Sequence, residues 1–255
     1  RCFKFNVNVN IPASSKLVVD FISAVHYAKQ QAASYPYIVP FNDNLALQNG
    51  EPNRNMIRKT QSSFSWDWGP SFPTIAFQYP VLLEITPKNF ARIEKVLVES
   101  KPIGGAVSTT YEIHSTVVIH STNSENVEVS IRQQIKEKHI SIHTVSVSKG
   151  ENRISLKHVV DDVKLWYPSG YGEATLYNLE TTLTMNEQNI ETVTKRIGFR
   201  SIEVVQDMID GNPQAKTFFF RVNGIPVFAK GANYIPIDSF IERITEEEIK
   251  LVLDN

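Results

Sequence analysis

Val127-Glu128-Val129-Ser130-Ile131-Arg132-Gln133-Gln134-Ile135 alternates apolar and polar side chains almost without a break. A period of two places one set of side chains on one face of a strand and the other set on the opposite face. The same alternation recurs in residues 91–100, 105–121, 140–147 and 153–160. Turn signals separate these runs: Pro102 with Gly104-Gly105, the polar stretch 123–126, and residues 150–152. Short strands at this spacing, with no helical pattern among them, predict an immunoglobulin-like β-sandwich over residues 85–205. The cysteine pair of antibody domains is absent, so the expectation concerns architecture alone. Residues 176–185 extend the pattern as a long strand, with 191–205 as its hairpin partner. An aromatic corner, Leu165-Trp166-Tyr167-Pro168-Ser169-Gly170-Tyr171-Gly172, precedes them.

Toward the N-terminus, Arg58-Lys59-Thr60-Gln61-Ser62-Ser63-Phe64-Ser65-Trp66-Asp67-Trp68-Gly69-Pro70 holds two of the three tryptophans, with one carboxylate between them. Gly-Pro is a strong turn signal. Flat aromatic faces suit the C–H side of a pyranose ring, and a carboxylate accepts hydrogen bonds from sugar hydroxyls. Trp66, Asp67 and Trp68 are therefore candidate substrate-binding residues. The same residue types also fit buried core and a local turn cap. Residues 14–28 read as a buried strand, with a short helical turn at 30–33, followed by a long loop over 34–52. Residues 56–60 read as a strand leading into the corner, and 74–85 as a bent strand or strand pair.

Composition narrows the function classes. A chain of 255 residues that is 42% hydrophobic and 21% charged can bury a real core. A net charge of −1 and a pI near 6.7 give no electrostatic footprint for nucleic acid or an anionic membrane. No apolar run reaches the ~18 residues that mark a membrane-spanning helix. The lone Cys2 allows no internal disulfide, and no Asn-x-Ser/Thr sequon occurs. There is no initiator methionine, and residues 1–10 alternate like a strand rather than a signal peptide, so the chain is expected to be truncated at its start.

Other constellations are weaker. His139 and His143 share a face if 138–147 is a strand, but no carboxylate or cysteine accompanies them, so no metal site is expected. No phosphate loop or nucleophile elbow is present, and no cofactor is implied. Beyond residue 205 the pattern changes. Residues 206–214 read as a linker, and 217–234 as a hairpin about Asn223-Gly224 followed by a buried strand. Thr245 with Glu248 forms a capping box that opens a helix. A strand followed by a capped helix reads as the first unit of an α/β domain. Asn233 and Asp238, just after that strand, stand where barrel enzymes place site residues, although turn-fixing and capping explain them as well.

Three of these stretches together resemble the β-mannosidases of glycoside hydrolase family 2. They are Arg58-Lys59 with 64–74, the corner 165–172 with Leu176-Tyr177, and residues 219–240. Residues 23–28 and Tyr35-Pro36 are similar to that family too. The resemblance implies a mainly β chain in three parts. These are a jelly-roll-like sandwich over 1–84, the immunoglobulin-like sandwich over 85–205, and a linker plus the start of a truncated (β/α)8 catalytic barrel over 206–255. It implies that Trp66, Asp67 and Trp68 hold the terminal mannose of a β-mannoside oligosaccharide at the barrel mouth. It also implies that both catalytic glutamates lie beyond Asn255, so no residue here is catalytic, and that the rest of the barrel is a partner in cis. A lysosomal location follows from animal relatives in the same way. The sequence departs from the family at Ala76-Phe77, where a Gly-Ile-Trp-like run is common, and at Tyr234, where Trp is usual. The alternative from another class is a non-catalytic carbohydrate-binding or adhesion module of tandem β-sandwiches.

Overall fold

A computed structural model describes residues 12, 14–40, 49–77, 79–135 and 138–254. The strand pattern of residues 1–10, and Cys2 with it, lies outside the described residues. The chain divides into two compact units, one of Arg1–Leu82 with Asn233–Asn255, the other of Leu83–Ala232.

In the first unit, helix α1 (Ala24–Ser34) replaces the strand expected over 14–28. Residues 14–22 are irregular, and helix begins where the β-branched residues thin out. Ser23 caps it, its hydroxyl accepting from the His26 amide at 3.5 Å. Ala24 and Ala28, one helical turn apart, are buried against the fully buried Phe64. A strand would place these two alanines on one face as well, but would not bring them together at helical contact distance. The strand expected at 56–60 is also absent. Asn53, in the left-handed region at φ 65°, opens a 3-10 turn, Arg54–Met56, and a second, Gln61–Ser63, leads into hairpin strands β1 (Phe64–Trp66) and β2 (Gly69–Ser71). No strand is formed by the described part of 74–85 within this unit; the segment runs without regular structure, with Phe77 edge-on to Phe21 at 4.9 Å.

The second unit is the predicted sandwich. Strands β3 (Ala91–Pro102), β4 (Tyr111–Ser121), β5 (Val127–Ile135), β6 (Lys138–Val147), β7 (Gly150–Val160), β8 (Tyr177–Met185) and β9 (Gln188–Ile197) form two antiparallel sheets. Their orders are β3-β4-β7 and β6-β5-β8-β9. The chain switches sheet after β4, returns after β6 and switches again after β7, so the connections tie the two layers together. Alternation decides which face is inward: β4 buries Tyr111, Ile113, Ser115, Val117 and Ile119, and β5 buries Val129, Ile131, Gln133 and Ile135. Val96, Val117 and Leu156 of one sheet meet Val129, Ile131 and Leu183 of the other in one apolar cluster. A second cluster gathers Tyr111, Ile113, Tyr177, Leu179 and Phe199. Burying side chains of this kind stabilises by about 1.5–3 kcal/mol each before chain entropy is counted.

Two further corrections fall in this unit. A register shift between Gln133 and Gln134 pairs His143 with Ile131 and His139 with Gln134, so the strand is not the regular one that the even spacing assumed. Residues 206–214 are not a plain linker. After β10 (Ile202–Val205), strands β11 (Met208–Ile209) and β12 (Asn212–Lys216) occupy the region and close a hairpin over Asp210-Gly211. Asp-Gly is a favoured hairpin turn, and Gly211 supplies the positive φ, 80°, that it requires.

The hairpin about Asn223-Gly224 is present as β13 (Phe219–Val222) and β14 (Ile225–Val227), and β13 pairs with β10. Asn223 is 1% exposed and fixes this sheet in the unit: its side-chain oxygen accepts from Ser201 N at 2.9 Å, and its amide nitrogen donates to the Trp166 carbonyl at 2.9 Å. The first unit ends with helix α2 (Glu246–Asp254). Its capping box is formed: Glu248 N donates to the Thr245 hydroxyl at 3.2 Å, and Thr245 N donates to the Glu248 carboxylate at 2.9 Å. The described residues are thus mainly β with several antiparallel sheets, and no barrel is formed among them.

Candidate functional site

The Trp-Asp-Trp stretch is the tip of the β1–β2 hairpin. Phe64 pairs with Ser71 and Trp66 with Gly69, which leaves Asp67 and Trp68 as a two-residue loop. Buried Phe64 anchors one end of the hairpin beside α1, and backbone bonds from Glu51 N to Phe64 O (2.9 Å) and from Phe72 N to Ser63 O (2.8 Å) hold its base. The tip is therefore carried on a fixed frame while its side chains reach outward. Trp68 is 38% exposed and Asp67 is exposed, whereas Trp66 is half-buried. Asp67 makes no side-chain hydrogen bond or ion pair to another described residue, so its acceptor oxygens face solvent.

Two residues that sequence reasoning passed over shape this tip. Arg54 is 8% exposed, and its guanidinium lies 4.4 Å from the centre of the Trp66 ring while Nη1 donates to the Ser65 carbonyl at 3.3 Å. A buried arginine stacked on an indole fixes the plane of that indole. Ser65 is buried at φ 94°, a region that disfavours any residue with a Cβ. Strain held within a presented loop directs side chains that a relaxed strand would point elsewhere. The sequence signal for Arg54 was weak: a lone cation in a polar loop normally reads as surface.

The other candidates separate clearly. Asp238 accepts from Phe240 N at 2.7 Å and pairs with Arg243 at 2.7 Å. The Arg243 guanidinium, and then the Phe240 amide, hold its carboxyl below the usual carboxylate range. It behaves as a local cap. Asn233 is exposed, and no structural partner is found for it among the described residues. The second aromatic corner is held mainly through its backbone, with Trp166 and Tyr167 half-buried and Tyr171 exposed. Trp166 N donates to Phe199 O at 2.9 Å, its ring lies 4.6 Å from the Arg200 guanidinium, and Lys164 N donates to the Tyr177 hydroxyl at 2.8 Å. No group of three or more metal-ligating side chains occurs among the described residues. No helix among them is long and apolar enough to cross a membrane.

A β-sandwich unit and a second unit bearing an aromatic hairpin tip place the chain in the class of proteins built from several β domains. Comparison with known families agrees. Residues 1–77 match the family described as glycosyl hydrolase 2 galactose-binding domain-like, and residues 91–200 match glycosyl hydrolases family 2. The chain belongs to glycoside hydrolase family 2. It is 31% identical over 260 aligned positions to the β-mannosidase of Capra hircus, with 100% of this chain aligned. It is 30% identical to β-mannosidase B of Aspergillus niger over 82% of its length. The crystal structure of a β-D-mannosidase from Dictyoglomus thermophilum superimposes with a TM-score of 0.69 at 31% identity, covering 91% of this chain and 27% of that one. An exo-chitosanase from Amycolatopsis orientalis, at 19% identity and a TM-score of 0.51 over 64% of the chain, shares the fold alone. The chain spans 29% of the length of the goat relative it matches.

Proposed function

We propose that this chain is the N-terminal and middle portion of a retaining β-mannosidase that removes terminal, non-reducing β-D-mannose from oligosaccharides. One observation carries the reading: an unpaired carboxylate, Asp67, stands between two indoles on a strained, anchored hairpin tip. In this reading Asp67 accepts hydrogen bonds from sugar hydroxyls, Trp68 packs on the apolar side of the ring, and Trp66, held by Arg54, forms the wall beside them. The N-terminal part, 1–84, belongs to a jelly-roll-type sandwich, and 206–255 opens a catalytic barrel supplied in cis. A retaining glycosidase needs a carboxylate nucleophile and an acid/base carboxylate about 5–5.5 Å apart. In this reading both are glutamates beyond Asn255. Relatives named β-mannosidase support the substrate class, and a lysosomal location is proposed on the same resemblance.

The test uses the longer protein that contains this chain. Asp67→Asn and Trp68→Ala should each lower kcat/KM for an aryl β-mannoside about tenfold or more, since a lost hydrogen bond to a charged group is worth roughly 1.5–3 kcal/mol. The unfolding midpoint should not move. Unchanged turnover in both variants, or a preference for β-galactosides or β-glucosaminides over β-mannosides, would overturn the assignment. The 255-residue chain by itself should leave the aryl β-mannoside intact.

A further inference from the structure

The core of the sandwich is interrupted by a polar seam. In one sheet, register aligns Ser141, Gln133 and Thr181 as a row across β6, β5 and β8. Gln133 and Thr181 are fully buried, and Gln133 Nε2 donates to Thr181 Oγ1 at 3.1 Å. The facing sheet contributes Ser115 of β4 and His158 of β7, and His143 stands two positions beyond Ser141 on β6. Six buried atoms here have no hydrogen-bond partner among the described residues: Ser115 Oγ, Gln133 Oε1, Ser141 Oγ, His143 Nε2, and both ring nitrogens of His158. Buried polar atoms are normally paired, and leaving one unpaired costs about 1–3 kcal/mol. Apolar clusters lie on both sides of the row, which divides Val117, Ile131 and Leu183 from Ile113, Ile135 and Leu179.

We infer that the His143–His158 pair makes this seam an acid-sensitive joint, which loosens the β6–β7 edge of the sandwich when an imidazole takes up a proton. A second positive charge, or even one, between two sheets lacks the solvation it has in water. The seam offers it little compensation. From β6 the titratable group facing His158 is His143; on β4 its direct partner is Ile113, with Tyr111, whose phenol is itself pushed up by burial, two residues along the same face. His139 stands past the register shift, opposite Gln134. β5 and β8 present neutral Gln133 and Thr181, and β3 presents Val98 and Ser100. Glu112 and His114 pair with each other on the outer face of β4, and Lys157 and Arg153 alternate outward on β7. The carboxylate that does enter the inter-sheet space, Glu191 of β9, is held by the Ile93 amide at 2.8 Å. Burial first, and His143 second, push His158 down to about 4.

The sign follows from linkage. A base whose folded-state pKa lies below its unfolded value of 6.5 is neutral in the fold while the unfolded chain takes up the proton. Its neutral packing therefore supports the fold fully above pH 6.5, and this support fades as pH falls toward 4.

Imidazole NMR titration of the full chain tests the pair directly. His158 should titrate more than one unit below the free-imidazole value of about 6.5. His143→Gln should shift that midpoint upward, because it removes the neighbouring charge. Amide exchange, corrected for intrinsic rates, should lose protection along β6 and β7 between pH 7 and pH 4.5, before the β3–β4 pairing does. In His158→Gln the loss should shrink. A His158 midpoint at or above 6.5, or an equal loss of protection across all strands, would overturn the inference. If His158→Gln does not fold, the wild-type titration and His143→Gln decide it.

Discussion

Two corners of this chain share a vocabulary of Trp, Pro and Gly, yet are held in different ways. In Leu165–Gly172 the backbone is tied into the sandwich: Trp166 bonds to Phe199 and Asn223 through its backbone, Tyr167 N bonds to Glu173, and Gly172 leaves room for Tyr167, while Tyr171 stays exposed. A Cβ at Gly172 would meet the Tyr167 ring at 2.9 Å. In Trp66–Pro70 the backbone is fixed from behind, by Phe64, Arg54 and the β1–β2 ladder, and the side chains of Asp67 and Trp68 are left to solvent. The difference lies in what surrounds each corner. One sits beside a cluster of Tyr111, Tyr177 and Phe199, against which Leu165 packs, and its Trp166 and Tyr167 are half-buried. The other tops a two-stranded ribbon, where Asp67 and Trp68 are exposed and Trp66 is half-buried.

Substitutions test that contrast. Phe199→Ala should be the most damaging: the ring is fully buried 5.1 Å from Tyr111 and 5.3 Å from Tyr177, and its loss should destabilise the second unit by about 3–5 kcal/mol in urea unfolding. Asn223→Ala should lose about 1–3 kcal/mol in the same measurement, because Ser201 N and the Trp166 carbonyl are then left without partners. Ser65→Gly should act in the other direction. Relief of the strained φ of 94° should stabilise the first unit by roughly 1 kcal/mol, at the expense of the fixed aim of Trp66.

Asp238→Asn should lower the melting temperature slightly. The folded-state carboxyl lies below its ordinary 3.8, so the pairing supports the fold above that pH and fades as pH falls further. The difference between wild type and variant should therefore close in strong acid. Trp68→Ala should change stability least, within about 0.5 kcal/mol, as exposed positions generally do. A loss of several kcal/mol there would show that the first corner is core after all, and the contrast would collapse.

The sandwich was legible because each of its strands repeats a period of two over nine to twelve residues, long enough for alternation to outweigh local noise. The hairpin at Asn223-Gly224 and the capping box at Thr245 were legible because their signals are confined to a few adjacent residues. Of the helix at 24–34, only the turn at 30–33 was legible. Ala24 and Ala28 choose a helix through Phe64, a partner some forty residues away whose approach no local window contains. The register shift at Gln133 was hidden as well, because alternation in β6 looks unbroken until its partner strand shows which residue is skipped.

For the candidate site the division is similar. Sequence alone determined which residues form the aromatic stretch, Trp66, Asp67 and Trp68, but it put the turn at Gly69-Pro70, whereas strand pairing puts it at Asp67-Trp68 and makes Gly69-Pro70 the start of β2. Whether those side chains are buried or presented depends on what the rest of the chain packs above them, and only the tertiary structure decided that. Arg54 under Trp66, the strained Ser65 and the paired histidines between the sheets belong to the same group. Each arises from atoms brought together across the fold, and separation along the chain carries no record of that approach.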